Sequence, residues 1–446
     1  MWTRLRSIWT IPDLRNKILF TIAMLLIFRI VAYVPVPGID PQSLSKFVST
    51  NNSGLNQLFG LLDVFSGGSL QNFSVVAMGL YPYITATIVM QLLTPIIPKL
   101  EAMQREGESG RNRLSQISRY ITVPLALLQA FGQMALLVSI GAIPATQFSL
   151  FNGASFLPTL ATLVTLTTGT MFLVWLGELI TENGIGNGIS LIIFANILVK
   201  IPQTIGSALV SSSGGSGSGA NNGSFIFIGA IAIFVLVVTF SMVYVYLSQR
   251  RVPVQYPTKR RFMSGERSGQ TTTYIPLQIN SAGMIPIIFA QSILLLPTVL
   301  ANYLTYSSNK GLAGFFNGAR QLLDPSTTQY WVTFGVLVAL FTFFYATVVF
   351  QQQNLAENLQ KQGAYIPGIR PGPPTAEYLE KILNRITLGG ALFLGIVSVA
   401  PILFGTGSVN QIPTAASLLI VVGVVLDTMK QLEAQMVMRN YSGFLS

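Results

Sequence analysis

The glycines of Asn183 to Ser190, NGIGNGIS, resemble at first glance a loop that cradles phosphate. A dinucleotide fingerprint needs a preceding strand in a βαβ unit, and a Walker loop needs Gly-Lys-Ser/Thr. Neither is present, so the stretch reads as a tight glycine-rich connection between helices. The chain has no cysteine and no histidine. That removes thiolate and imidazole chemistry: the usual zinc sites, Cys-His dyads and Ser-His-Asp triads. The acids Asp13, Asp40, Asp63, Asp324 and Asp427 and the glutamates fall in loops, in the tail or near the ends of apolar runs. Proton-coupled carriers usually place such groups at mid-span, where burial moves their pKa. Arg29 is the basic residue that lies inside an apolar run, where it either snorkels to the outer interface or serves a function.

Three further stretches carry chemistry of recognition. Residues 249–279 contain QRRVPVQYPTKRRFMSGERSG, a basic loop with Tyr256 and Phe262 interleaved. It suits phosphate-rich RNA, an acidic protein surface or anionic lipid. Residues 351–380 contain YIPGIRPGPP, whose prolines fix φ and hold Arg370 at a stiffened tip, or merely start the next helix. Leu61 to Asn72, LLDVFSGGSLQN, is apolar yet too short to span a bilayer. It is either a re-entrant segment, which requires a surrounding cavity, or a short amphipathic surface helix.

The elements that position these residues belong to a membrane. Of 446 residues 51% are hydrophobic and 9% charged, against roughly 25% charged in a soluble domain. A helix crossing the hydrocarbon core needs roughly 20 apolar residues. Apolar runs bounded by Gly, Pro and charge predict spans near 18–34, 73–93, 120–140, 156–176, 188–205, 225–247, 282–300, 331–350, 386–404 and 412–428. The first is followed by Pro35, Pro37 and Gly38 rather than a cleavage site, and reads as a retained helix.

Ten spans put both termini on one side. Lys46, Lys200, Lys310 and Arg320 lie on the opposite side and Arg29 within the first span, while every other one of the 26 basic residues lies on the side of the termini. Because Lys and Arg accumulate in cytoplasmic loops, both termini are expected to be cytoplasmic. The turn Glu178 to Gly188 departs locally, with two acids and no base. Ser211 to Ser224, SSSGGSGSGANNGS, divides the spans five and five as a flexible outer linker. The organisation expected is a first half over 1–210, the linker over 211–224, a second half over 225–432 and a tail over 433–446. A five-plus-five division permits an inverted repeat of the kind common in transporters.

Several motifs then resemble one family in order and spacing. EGESGR (Glu106 to Arg111), TGTMFLVWLGELITENGIGNGIS (Thr168 to Ser190), AGMIPIIFA (Ala282 to Ala290) and YIPGIRPG (Tyr365 to Gly372) are similar to bacterial SecY, the channel subunit of the Sec translocon. FRIVAYVPVPGID (Phe28 to Asp40), FSGGSL (Phe65 to Leu70) and GLYPYI (Gly79 to Ile84) extend the likeness from the first span to the last. The resemblance implies an all-α membrane protein of ten transmembrane helices, in two pseudo-symmetric five-helix halves around an hourglass pore.

Carried over position by position, the resemblance puts an apolar pore ring at Leu80, Ile84, Ile189, Ile193, Ile288 and Ile420. Residues four apart share one helix face, so each pair can point at one axis; read without the family, these are ordinary packing residues. An outer plug falls on Leu61, Leu62, Asp63, Val64, Phe65, Ser66, Gly67 and Gly68, within the Leu61 to Asn72 stretch. A lateral gate between spans 2 and 7 takes its polar groups from Thr85, Thr87, Gln91, Asn280, Ser281 and Gln291, in hydrogen bonds of about 0.6 to 2 kcal/mol.

Partner docking falls on Arg250, Arg251, Lys259, Arg260, Arg261 and Arg370. Arg250, Arg251 and Arg370 match the family's pattern, whereas Lys259 to Arg267 depart in spacing and carry over only their charge. The implied partners are small SecE-like and SecG-like membrane subunits, the SecA motor ATPase, the ribosome, and signal sequences of nascent polypeptides. The implied activity is non-enzymatic passage of unfolded secretory chains, with sideways release of apolar segments into lipid. The expected location is the bacterial cytoplasmic membrane, in preference to a plastid thylakoid. No cofactor or metal is expected. A small-solute transporter and a poreless insertase are the rival readings.

Overall fold

A computed structural model describes residues 12–37, 66–139, 153–213, 221–256, 272–280, 283, 285–294, 327–353, 355–400 and 415–442. The predicted spans overlap helices α1 (Pro12–Val31), α2 (Tyr81–Leu93), α4 (Glu108–Ser139), α5 (Gly153–Asn183), α6 (Gly188–Ser213), α7 (Asn221–Leu247), α8 (Ile285–Leu294), α9 (Thr328–Gln352), α11 (Pro373–Val399) and α12 (Ala415–Ser442). Short helices α3 (Pro98–Arg105) and α10 (Leu355–Lys361) lie in the connections. Prolines open α2, α3 and α11 within their first turn, where a missing N–H leaves no bond unmade. Thr327 caps α9 by accepting from Tyr330 N at 3.4 Å.

Among the described residues three helical stretches are long and apolar enough to cross a membrane: Phe156–Asn183, Thr328–Lys361 and Pro373–Val399. A fourth arises if α2 and α3, bent by 98° at their break, count as one span. Outward faces are apolar in helical register. On α11 Leu388, Leu392 and Ile396 are exposed, on α7 Ile233, Leu236, Val237 and Phe240, and on α1 Leu19, Ile22, Leu26 and Ile30. Water would penalise such stripes, while hydrocarbon accepts them.

The described residues are mainly helical as expected, with a strand pair added inside the basic loop. Strands β1 (Gln249–Gln255) and β2 (Thr272–Gln278) form an antiparallel ribbon in register Gln249↔Gln278 through Gln255↔Thr272. Val252 and Val254 alternate with exposed neighbours, and with Leu277 they pack onto Leu359, Ala364, Ile366, Leu379 and Ile382. That period of two was hidden in the sequence by the surrounding charge. At the expected linker, α6 continues to Ser213 and α7 begins at Asn221, so helix occupies both of its ends.

Two larger apolar clusters hold the helices together. One joins α2, α7, α8, α9, α11 and α12 around Phe289, Tyr330, Trp331 and Phe334. The other joins α1, α5, α6, α8 and α12 with the start of α2. Ile84 packs against both, placing the start of α2 where they meet.

Candidate functional site

The six residues expected to form a ring come together in one apolar cluster. Leu80, Ile193, Ile288 and Ile420 are buried in it, and Ile84 and Ile189 pack against it half-buried. They arrive from the start of α2, from α6, from α8 and from α12. A cavity of about 20 Å³ lies among Leu80, Ile84, Ile193 and Ile288, with Met78, Tyr81, Gln291 and Ser292 completing its wall. That is room for about one water.

Local sequence chemistry aims these side chains. Leu80 stands at the N-cap of α2, and its carbonyl accepts from Ile84 N at 3.0 Å, which stacks the pair one turn apart. The NGIGNGIS turn works as a connection: Asn187 Oδ1 accepts from Ile189 N at 3.1 Å and Ser190 N at 3.3 Å, capping α6. Gly188 N donates to Thr181 Oγ1 at 2.9 Å. A Cβ on Gly188 would lie 2.0 Å from the Gly177 carbonyl oxygen, so only glycine permits the α5–α6 approach that sets Ile189 and Ile193. One of the two acids of this turn finds a base on another helix, since Arg119 of α4 pairs with Glu178 at 2.6 Å.

Of the expected plug, Leu61, Leu62, Asp63, Val64 and Phe65 lie outside the described residues. Ser66 bonds locally, accepting from Leu70 N at 3.2 Å through Oγ, whereas Gly67 and Gly68 pack beside Arg29 of α1 and Asn196 and Lys200 of α6. Arg29 Nη1 donates to the Gly67 carbonyl at 2.8 Å, and its guanidinium stands 5.2 Å from the centre of the Tyr33 ring. Arg29 therefore binds within the protein instead of only snorkelling outward. Gly67 and Gly68 have φ of +65° and +86°, and a Cβ on Gly67 would come within 2.3 Å of Asn196 Oδ1. Beyond them the chain pairs with the exit from α1, with Val36 N donating to Phe73 O and Val75 N to Val34 O, each at 3.0 Å.

The expected gate residues behave differently from one another. Thr85 and Thr87 donate to the carbonyls of Tyr81 and Tyr83, within α2 itself. Asn280 Nδ2 donates locally to Gly283 O at 3.1 Å, and Ser281 lies outside the described residues. Gln91 Oε1, Asn280 Oδ1 and Gln291 Oε1 are buried without a hydrogen-bond partner among the described residues. Among the described residues a bond that crosses from α2 to α8 is made by Tyr81, whose hydroxyl donates to Ser292 O at 2.9 Å. Sequence reasoning missed it because a main-chain acceptor leaves no trace in residue type.

The two loops expected to dock partners form one platform. Gln255 and Tyr365 exchange backbone hydrogen bonds of 2.9 and 3.0 Å, tying the ribbon to the proline loop. Arg250 and Arg251 are exposed on β1, and Arg370 is exposed at the tip, where its carbonyl accepts from Thr375 Oγ1 at 2.8 Å. Lys259, Arg260 and Arg261 lie outside the described residues. No cluster of acids among the described residues could hold a metal ion.

Known proteins match this arrangement over nearly its whole length. The SecY family model matches residues 74–429. The protein translocase subunit SecY of Streptomyces galbus is 39% identical over 462 residues, covering 100% of each chain. That of Mycobacterium tuberculosis is 38% identical, covering 97% of each. Among solved structures, one described as a protein-conducting channel matches with a TM-score of 0.61 at 17% identity, covering 95% of this chain and 93% of that one. Sec61 in the canine ribosome–channel complex from the endoplasmic reticulum matches at 0.58 and 17% identity, covering 95% and 93%. With sequence relatives matched end to end and the same fold in the solved channels, the chain belongs to the SecY family.

Proposed function

We propose that this chain is a passive, gated protein-conducting channel, in which Leu80, Ile84, Ile189, Ile193, Ile288 and Ile420 form an elastic seal around a threading polypeptide. The observation that carries the reading is their convergence from four separate parts of the chain into one cluster. A narrow apolar constriction dewets and blocks ions, whereas hydrocarbon side chains yield around a peptide without binding it. Residues 61–68 act as the plug on the outer face. Ten spans in two five-helix halves enclose the pore, with both termini in the cytoplasm of a bacterial cell.

Sideways release of apolar segments occurs between α2 and α8. The closed gate suits repeated opening: apolar packing and the Tyr81–Ser292 bond hold it, while the buried amides of Gln91 and Gln291 count against it. A buried polar atom left unpaired costs about 1–3 kcal/mol, so exposing it to water on opening offsets part of the lost packing. The platform of β1, β2 and the Arg370 tip docks the SecA motor or the ribosome, which supplies the drive. SecE-like and SecG-like subunits complete the complex.

The test is a crosslink. The chain has no cysteine, so a single cysteine at Ile84 or Ile193 gives an unambiguous attachment point. An arrested signal-bearing nascent chain is expected to crosslink at both positions and not at lipid-facing Leu392. Absence of crosslinks at Ile84 and Ile193, with accumulation of a small solute by the reconstituted protein, would replace this reading with a transporter.

A further inference from the structure

Arg29 is the cation that sequence analysis left inside a membrane helix with two readings. In the structure it reaches across 38 positions of sequence to one main-chain oxygen, Gly67 O, at 2.8 Å. Its other terminal nitrogen lies 3.4 Å from the Tyr33 hydroxyl, and the Tyr33 ring flanks the guanidinium at 5.2 Å. Tyr33 follows Arg29 by four residues, in the turn just beyond the end of α1, so the exit of that helix supplies the support for the cation.

The receiving backbone is held in a narrow slot. Gly67 and Gly68 both adopt the left-handed region, and Gly67 lies so close to α6 that a Cβ would come within 2.9 Å of Asn196 Cα. Gly68 lies beside the buried Lys200, where a Cβ would come within 3.3 Å of that side chain. The carbonyl of Gly67 thus faces α1 while its Cα faces α6. Any outward movement of Gly67 must start by leaving this slot.

We propose that Arg29 is the positioning residue that latches the root of the plug, holding Gly67 against α6 until the channel opens. The proposal rests on the plug reading given above. A forked cation is suited to the task. Its charge strengthens the bond to a carbonyl in a low-dielectric setting, and the bond is lost entirely once the acceptor moves away.

The experiment uses the full-length chain in membrane vesicles with Ser66→Cys as its single thiol, since the native chain offers none. Ser66 is buried, so a water-soluble maleimide reaches position 66 only when the root opens. Arg29→Gln is expected to raise the modification rate about ten- to a hundred-fold, the range for loss of one charge-assisted hydrogen bond. Arg29→Lys, which keeps the charge without the fork, is expected to fall between. An unchanged rate in Arg29→Gln overturns the latch; where that variant does not accumulate, Arg29→Lys is read with the same two outcomes.

A separate variant with its single thiol at Thr170, fully buried on α5, distinguishes the latch from general loosening. An equal rise there also overturns it. The plug reading is tested apart, by deleting Leu61 to Asn72 and measuring ion leak. An unchanged leak removes the plug but leaves a tie between Arg29 and Gly67, whereas a raised leak with no effect of Arg29→Gln removes only the latch.

Discussion

The Tyr81 hydroxyl donates to the main-chain carbonyl of Ser292 at 2.9 Å, joining the first residue of α2 to the last turn of α8 across 211 positions of sequence. Tyr81 lies one residue after Leu80 and Ser292 four after Ile288, so the bond spans the wall of the small cavity among the ring residues. In the proposed channel, closure of the gate and sealing of the ring are therefore coupled through adjacent residues. Tyr81→Phe keeps the ring and its packing and deletes only the donor. The expected loss is about 1 kcal/mol, or about five-fold in the opening equilibrium. Export of substrates with weakly apolar signal segments should rise accordingly, and unchanged export of a graded signal series would dissociate this bond from the gate.

Polar substitution in the ring tests the seal. Ile288 is 8% exposed and Ile420 fully buried, and an asparagine in place of either puts an amide where its neighbours are hydrocarbon. A buried amide without a partner costs about 1–3 kcal/mol, which water entering the constriction relieves. Ile288→Asn and Ile420→Asn are each expected to raise single-channel conductance in planar bilayers. Ile396→Asn, outward on α11, should not.

The α5–α6 turn should tolerate no side chain at its tightest point. Gly188→Ala sets a methyl 2.0 Å from the Gly177 carbonyl and 2.7 Å from Ile180 Cβ. Forcing the helices apart costs about 1–3 kcal/mol. It also displaces Ile189 and Ile193, so the variant should combine a lowered unfolding midpoint with raised ion leak.

Arg370 supports the opposite kind of prediction. It is exposed at the loop tip, so Arg370→Glu should change stability by no more than about 0.5 kcal/mol. Motor-driven export, measured as protease-protected substrate in inverted vesicles, is expected to fall at least tenfold if the tip is a docking contact with a charged partner. Normal export would return the prolines at 367 and 371 to a purely structural role.

How much was legible varies with the range of the interaction. The helices at the predicted spans were readable, because hydrocarbon demands long apolar runs and every residue of a run reports on it. The ring residues were reached through family resemblance alone. Apolar residues four apart fill any membrane helix, and nothing in Ile84 or Ile288 as residue types says that they meet. The β1–β2 ribbon was missed, since four residues of strand alternation are easily masked by Arg250, Arg251 and two prolines at 253 and 276. Thr85 and Thr87 looked like gate donors by type, but a threonine hydroxyl in a helix is readily satisfied by the carbonyl four residues back, as both are here.

By itself the sequence determined the solvent, the helical class, the expected side of the basic loops and the exclusion of thiol and imidazole chemistry, because each follows from composition summed over many residues. Only the tertiary structure decided that Arg29 meets Gly67, that Tyr81 meets Ser292, and that six apolar side chains share one cluster. The physical reason is that these are single contacts between distant segments. Two of them use main-chain acceptors common to every residue, and the third uses the commonest kind of side chain in a membrane, so specificity resides in the packing that brings them within reach.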